Sequence, residues 1–257
     1  MPKANFQRVA LVTGAGPARV GNTIARTLSA REFHLAIHAN RSQREAQSTA
    51  EELTTAGRES IAVVADLRDE RAIIDMVAKV RDTFGRIDVL VNSAAVFEAT
   101  PLEKMTADDV RRQFEINTLG TLLCCQHVGA VMIEQPSGGA IVNIGDWAIE
   151  RPYENYLAYF ASKGAIPAIT RALAVELAQR NTRIRVNAVM PGPVLFPPGM
   201  PESHRRAAVE ATLLKREGKP QNVADAVAAL IENDFITGVC LPVDGGRTIA
   251  SPSERGA

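Results

Sequence analysis

An α/β architecture with a parallel sheet covered on both faces is predicted by three observations. Short β-branched runs alternate with longer runs of helical period along all 257 residues. The short runs are apolar nearly throughout, as strands buried on both faces must be. The first passes directly into a glycine-rich turn that opens a helix, the order in which a phosphate group is held at a helix N-terminus. Strands are expected at residues 8–13, 33–38, 60–64, 89–92, 140–144, 184–189 and 239–243. Between them, Ile73, Ile74, Val77 and Val80 form one helical apolar stripe, Ile166, Ile169, Leu173 and Leu177 a second, and Val223, Val227, Leu230 and Ile231 a third. The alternation implies a single domain with a doubly wound, parallel, seven-stranded sheet of Rossmann-like form, whose ligands bind at the carboxyl ends of the strands.

Composition narrows the function classes. With 46% apolar and 23% charged residues, the chain can bury one large core. Its formal net charge is zero, so no basic field invites nucleic acid or an anionic membrane surface. The N-terminal residues run into a strand without a long apolar segment or cleavage site, and no later stretch is expected to reach the length of a membrane span, so a cytoplasmic location is expected. Cys124, Cys125 and Cys240 lack metal-ligand spacing and read as reduced core thiols, and no metal is expected. The domain is expected to fill residues 1–250, leaving a loose tail at 251–257 rich in Ser, Pro and charge.

The first strand leads into Thr13, Gly14, Ala15, Gly16, Pro17, Ala18, Arg19, Val20 and Gly21. Glycines there allow a tight turn and close approach of backbone N–H groups to a pyrophosphate. The second strand ends in His38, Ala39, Asn40, Arg41 and Ser42, with no acid to hold a ribose 2′-hydroxyl. Arg41 and Ser42 suit a 2′-phosphate instead, which favours NADP(H) over NAD(H). Arg41 and Arg44 also fit plain decoration of an exposed helix start.

Tyr159 and Lys163 stand four residues apart, and Asp146 precedes the tyrosine by thirteen at the end of an apolar strand. Positions i and i+4 share a helix face, so the ammonium is expected to sit under the phenol and favour its ionised form. Moving a phenol from ~10 to ~7 needs roughly 4 kcal/mol of differential stabilisation, much of which one close cation can supply in a half-dry cleft. Lys163 is the sole lysine between Lys104 and Lys215, set in a small and apolar run. Such pairs are also common on ordinary helices, and a strand-end aspartate can simply cap the next turn. The sole tryptophan, Trp147, and all three tyrosines, Tyr153, Tyr156 and Tyr159, crowd with Phe160 into one segment, either packing a helix start or lining a cleft for a planar ligand.

With these residues in place the chain resembles the short-chain dehydrogenase/reductase family, and within it the pteridine and dihydromonapterin reductases. The resemblance runs from Val9 to Arg247 and includes the glycine turn, Asp66 and Leu67, the segment Asn92, Ser93, Ala94 and Ala95, then Asn117, the Tyr159/Lys163 pair, and Pro191 with Gly192 and Pro193. It implies a nicotinamide cofactor contacted by Gly14, Gly16, Arg19, Gly21, His38, Arg41, Ser42, Asp66, Leu67, Asn92, Ala94, Tyr159, Lys163, Pro191 and Gly192. It also implies that Tyr159 donates the proton, Lys163 tunes it and holds the nicotinamide ribose, and Asn117 supports the lysine. Asp146 replaces the serine of most relatives, as in pteridine reductases, and suits protonation of a ring nitrogen. Arg19 replaces the middle glycine of a turn one residue longer than the common pattern, and Phe97 matches an aromatic that stacks on pterin. Ala95 departs from the serine often found there. The expected substrate contacts are therefore Arg19, Phe97, Asp146 and Tyr159. The expected function is NADPH-dependent reduction of a pterin-type C=N bond, with ketone reduction as the alternative. The resemblance further implies a homotetramer built through the helices of Cys124 and Lys163. Residues 194–220, broken by Pro197, Pro198, Gly199 and Pro201, read as a flap over the substrate or as passive cover. Pro167 reads as an interior helix proline that frees the Lys163 carbonyl.

Overall fold

A computed structural model describes residues 7–197 and 199–250. The expected tail at 251–257 and Pro198 lie outside the described residues. All seven strands form one parallel sheet in the order β3-β2-β1-β4-β5-β6-β7. They are β1 (Val9–Thr13), β2 (His34–Ala39), β3 (Ser60–Val64), β4 (Val89–Asn92), β5 (Gly139–Ile144), β6 (Ile184–Pro191) and β7 (Cys240–Val243). Each lies within two residues of its expected place, because a continuous apolar run leaves little freedom in where a doubly covered strand sits.

Alternation along β1 shows how the two layers arise. Ala10 and Val12 face one core with Ile24, Leu28, Val223 and Val227. Val9 and Leu11 face the other, with Ile73, Val77, Cys124, Val128 and Leu177. The helices α1 (Val20–Ser29), α2 (Gln43–Thr55) and α3 (Glu70–Phe84) follow the first three strands. Asp69 caps α3 by accepting from the Arg71 and Ala72 N–H groups, and Gly85 ends it at φ +76°. After β4 come α4 (Ala107–Phe114), a π-helical segment (Glu115–Gly120) and α5 (Thr121–Glu134). Then follow α6 (Leu157–Gly164), α7 (Ile166–Ala178), α8 (Glu202–Glu210) and α9 (Pro220–Glu232). The order of strands reverses between β1 and β4, so a crevice opens there at their carboxyl ends.

Two expectations need correction. The run Ala107–Glu134 is 28 residues of helix, long and apolar enough by length and composition to cross a membrane. Here it lies on the sheet, and Cys124, Cys125, Val128 and Met132 from α5 are fully buried in the core. Pro167 is not in a helix interior either. The helix is interrupted at Ala165, and Pro167 falls in the first turn of α7, where its missing N–H has no partner to lose.

Candidate active site

The crevice begins at the turn after β1. Gly14 has φ +65°, and a Cβ there would lie 2.7 Å from the Ala94 Cα; a Cβ on Gly21 would lie 2.7 Å from the Gly14 carbonyl oxygen. Both positions therefore need glycine. Asn22 braces the turn from behind, donating to the Ala15 and Gly16 carbonyls at 3.0 and 3.2 Å. No acidic side chain occupies the first turn of α1, whose N-cap is Arg19. A close-approach cradle at an uncompensated positive helix end fits a pyrophosphate. Thr13 joins it to the next strand end, its hydroxyl accepting from the Ser93 and Ala94 N–H groups at 3.0 and 3.1 Å.

Three residues expected at the cofactor have protein partners of their own. His38 is buried, its Nδ1 accepting from the Gly14 N–H at 3.1 Å and its Nε2 meeting the Ala65 carbonyl at 3.0 Å. Both ring nitrogens are engaged by backbone, so His38 shapes the turn and offers no group to a cofactor. Accepting at Nδ1 puts the proton of the neutral ring on Nε2, and burial lowers the pKa of His38 against the opposing pull of the Ala65 carbonyl and Asp66. Asn92 donates to Asn143 Oδ1 at 3.0 Å and Cys125 Sγ at 3.2 Å, so its amide ties strands to helix beneath the crevice. Asp66 is forked by Arg68, and these hydrogen bonds hold its carboxyl at about 2. Leu67 beside it is buried. Arg41 is exposed just beyond β2, and Ser42, N-cap of α2, makes no side-chain capping bond. Pro191 ends β6 and Gly192 follows it, where a Cβ would lie 2.5 Å from the Asp244 Cα.

Deeper in, Asp146 does two things at once. Its Oδ1 accepts from the Ala148 N–H at 2.8 Å, capping the turn at Trp147–Ile149, and its Oδ2 accepts from the Tyr159 hydroxyl at 2.7 Å. Capping and proton chemistry thus share one carboxyl. Burial raises the Asp146 pKa, opposed by the bonds from Tyr159 and Ala148 and by the Lys163 charge. Lys163 is buried and donates to the Ile144 carbonyl at 2.7 Å. Burial lowers its pKa to about 8, with Asp146 pulling the other way. The Tyr159 phenol is pushed well above its ordinary value by burial first and by Asp146 second. That reverses the expected direction, because a buried anion beside a carboxylate is costlier than one cation on the same helix can offset.

Asn117 lies in the π-helical segment, accepting from the Val96 N–H at 2.9 Å and donating to the Val96 carbonyl and Ser162 Oγ, each at 3.0 Å. Ser162 in turn donates to the Tyr159 carbonyl at 2.7 Å. The sequence gives no role to Ser162, whose partner Asn117 comes from another helix, nor to the Thr13 hydroxyl, whose partners Ser93 and Ala94 follow β4. Phe97 stacks on Tyr156 at 4.3 Å and meets the Tyr159 ring edge-on at 4.7 Å. One of its faces is therefore filled by Tyr156. Trp147 lies under Arg247, whose guanidinium is 5.0 Å from the ring and donates to the Ala211 carbonyl at the end of α8.

The family model described as enoyl-(acyl carrier protein) reductase matches residues 14–248, from the glycine turn past Lys163 to the last strand. The chain is a short-chain dehydrogenase/reductase. Members use a nicotinamide cofactor, and this short-chain dehydrogenase/reductase is an oxidoreductase. An uncharacterized oxidoreductase of Methylorubrum extorquens is 35% identical over 93% of this chain and 97% of its own. Carbonyl reductase family member 4 of Danio rerio is 34% identical over 94% of this chain and 98% of its own. Acetoin dehydrogenase from Enterobacter cloacae superposes with a TM-score of 0.86 at 33% identity, covering 97% of this chain and 98% of that one. A blue fluorescent protein from a metagenomic library, solved with NADPH, gives 0.86 at 34% identity, covering 93% and 97%.

Proposed function

We propose that this short-chain dehydrogenase/reductase is an NADPH-dependent reductase of a pterin-type C=N bond. The observation that carries the reading is the 2.7 Å hydrogen bond from Tyr159 to the half-buried carboxyl of Asp146, whose pKa is raised. A carboxyl pushed toward its neutral form can hand a proton to a ring nitrogen, which a serine at the same place does far less readily. When bound, NADPH would supply the hydride. Gly14, Gly16, Gly21 and the start of α1 would cradle its pyrophosphate, and Arg41 and Ser42 would receive the 2′-phosphate. Tyr159 and Asp146 deliver the proton that balances hydride addition, turning C=N into HC–NH. Lys163, anchored on Ile144, holds positive charge beneath the pair. Asn117 and Ser162 fix the helix turn that carries Tyr159. Phe97, backed by Tyr156, presents its remaining face to a flat ring.

Ketone reduction is the second reading, favoured by the relative named as a carbonyl reductase and the neighbour named as acetoin dehydrogenase. Following NADPH oxidation with dihydrobiopterin, dihydromonapterin, dihydrofolate and a panel of ketones separates the two. The pterin reading requires turnover of at least one dihydropterin, and its loss in Asp146→Ser while ketone turnover persists or rises. Turnover of ketones alone would reject it.

A further inference from the structure

Gln113, near the C-terminal end of α4, is 1% exposed. Its Nε2 donates to the Glu98 carbonyl at 3.1 Å, and its Oε1 is buried with no partner among the described residues. One helical turn on, Asn117 holds both the N–H and the carbonyl of Val96. The residue between the two anchors is Phe97. Its backbone is thus pinned on either side by amides from one helical run, and its ring is left 40% exposed beside Tyr159.

Stability alone gives no reason for an amide at position 113. One neutral hydrogen bond returns little net free energy, and an orphaned buried acceptor costs at least as much. A methionine of similar length would fill the space without the orphan. The amide does one thing an apolar side chain cannot: it fixes the outer end of the Phe97 segment, while Asn117 fixes the inner end. We infer that Gln113 is a positioning residue that holds Phe97 at a set distance from Tyr159, and so sets a preference for flat aromatic substrates over small aliphatic ones. The inference rests on the reading of Phe97 as a stacking surface.

The test is Gln113→Met in the full-length protein, with two readouts. Amide hydrogen exchange over residues 95–99 is expected to quicken about tenfold, the factor one lost hydrogen bond can carry. The ratio of kcat/KM for dihydrobiopterin to that for an aliphatic ketone is expected to fall about tenfold, through KM, with kcat for the pterin scarcely moved. A merely structural role would instead lower kcat/KM for both substrates in parallel with Tm. That result, or unchanged exchange over the segment, would overturn the inference. Should the wild type reduce no pterin, the functional reading falls by itself, and the exchange rates with the KM for acetophenone against an aliphatic ketone still decide the role of Gln113.

Discussion

In the proposed mechanism Tyr159, Asp146 and Lys163 form the chemical centre, and Tyr159 and Lys163 each make a prediction. Tyr159→Phe removes the hydroxyl bonded to Asp146 but keeps the ring that meets Phe97. Steady-state kinetics should show kcat falling by ~10²–10⁴, the usual worth of a positioned acid, with NADPH affinity retained. Lys163, held at about 8, gives the reaction an alkaline limit. kcat/KM for reduction should decline above about pH 8, and in Lys163→Arg, which does not titrate there, this limb should vanish from whatever rate remains. The same shift has a stability consequence of opposite sense. Between pH 8 and 10.5 the unfolded chain keeps the lysine proton that the folded one has lost, so the Lys163 contribution to stability rises with pH across that window. Urea midpoints measured across it should show a rising component that disappears in Lys163→Met. Spacing and the family resemblance bring these three residues forward, but not the direction of the Tyr159 shift. Spacing reports which charges are near, and the outcome turned on burial, which belongs to the packed molecule.

The glycine turn and the elements around it carry the proposed cofactor site. Gly14→Ala puts a Cβ against the Ala94 backbone at a positive φ, which should cost about 1–3 kcal/mol of stability and weaken NADPH binding more than tenfold. Thermal melts and fluorescence titration would check both. The strands were legible because each is an uninterrupted apolar run, and the turn because only glycines suit it. The break at Ala165 was not. The apolar stripe of Ile166, Ile169, Leu173 and Leu177 continues smoothly from α6 on paper, and only the chain path makes Pro167 the opening of a new helix. Asn92 and Asp66 were singled out as contacts, yet their partners, Asn143, Cys125 and Arg68, were invisible without the fold. The length of the helical run from Ala107 to Glu134 was not legible either, because the charged residues of α4 hide its continuity with the apolar α5.

The molecule as a whole links folding to the dinucleotide, because its cradle joins β1, β2 and β4 around one crevice. At a hundredfold excess over Kd, a ligand that binds only the folded state adds about 2.7 kcal/mol, or roughly 5–11 °C in Tm for a chain of this size. If Arg41 and Ser42 read the 2′-phosphate, NADPH should raise Tm more than NADH at equal concentration. Arg41→Ala should bring the two shifts together, whereas equal shifts in the wild type would reject the NADP preference. His38 adds a last consequence. One neutral imidazole pins Gly14 of the first turn to Ala65 beyond β3, and it can accept from Gly14 only while Nδ1 is bare. Its folded pKa lies below 6.5, so in mildly acid solution the unfolded chain takes up a proton that the folded one refuses, and stability drains away as pH falls through that value. Souring the medium should therefore loosen the grip on nucleotide before the sheet itself gives way, and the enzyme would be quieted by acid at a point remote from its proton-donating pair.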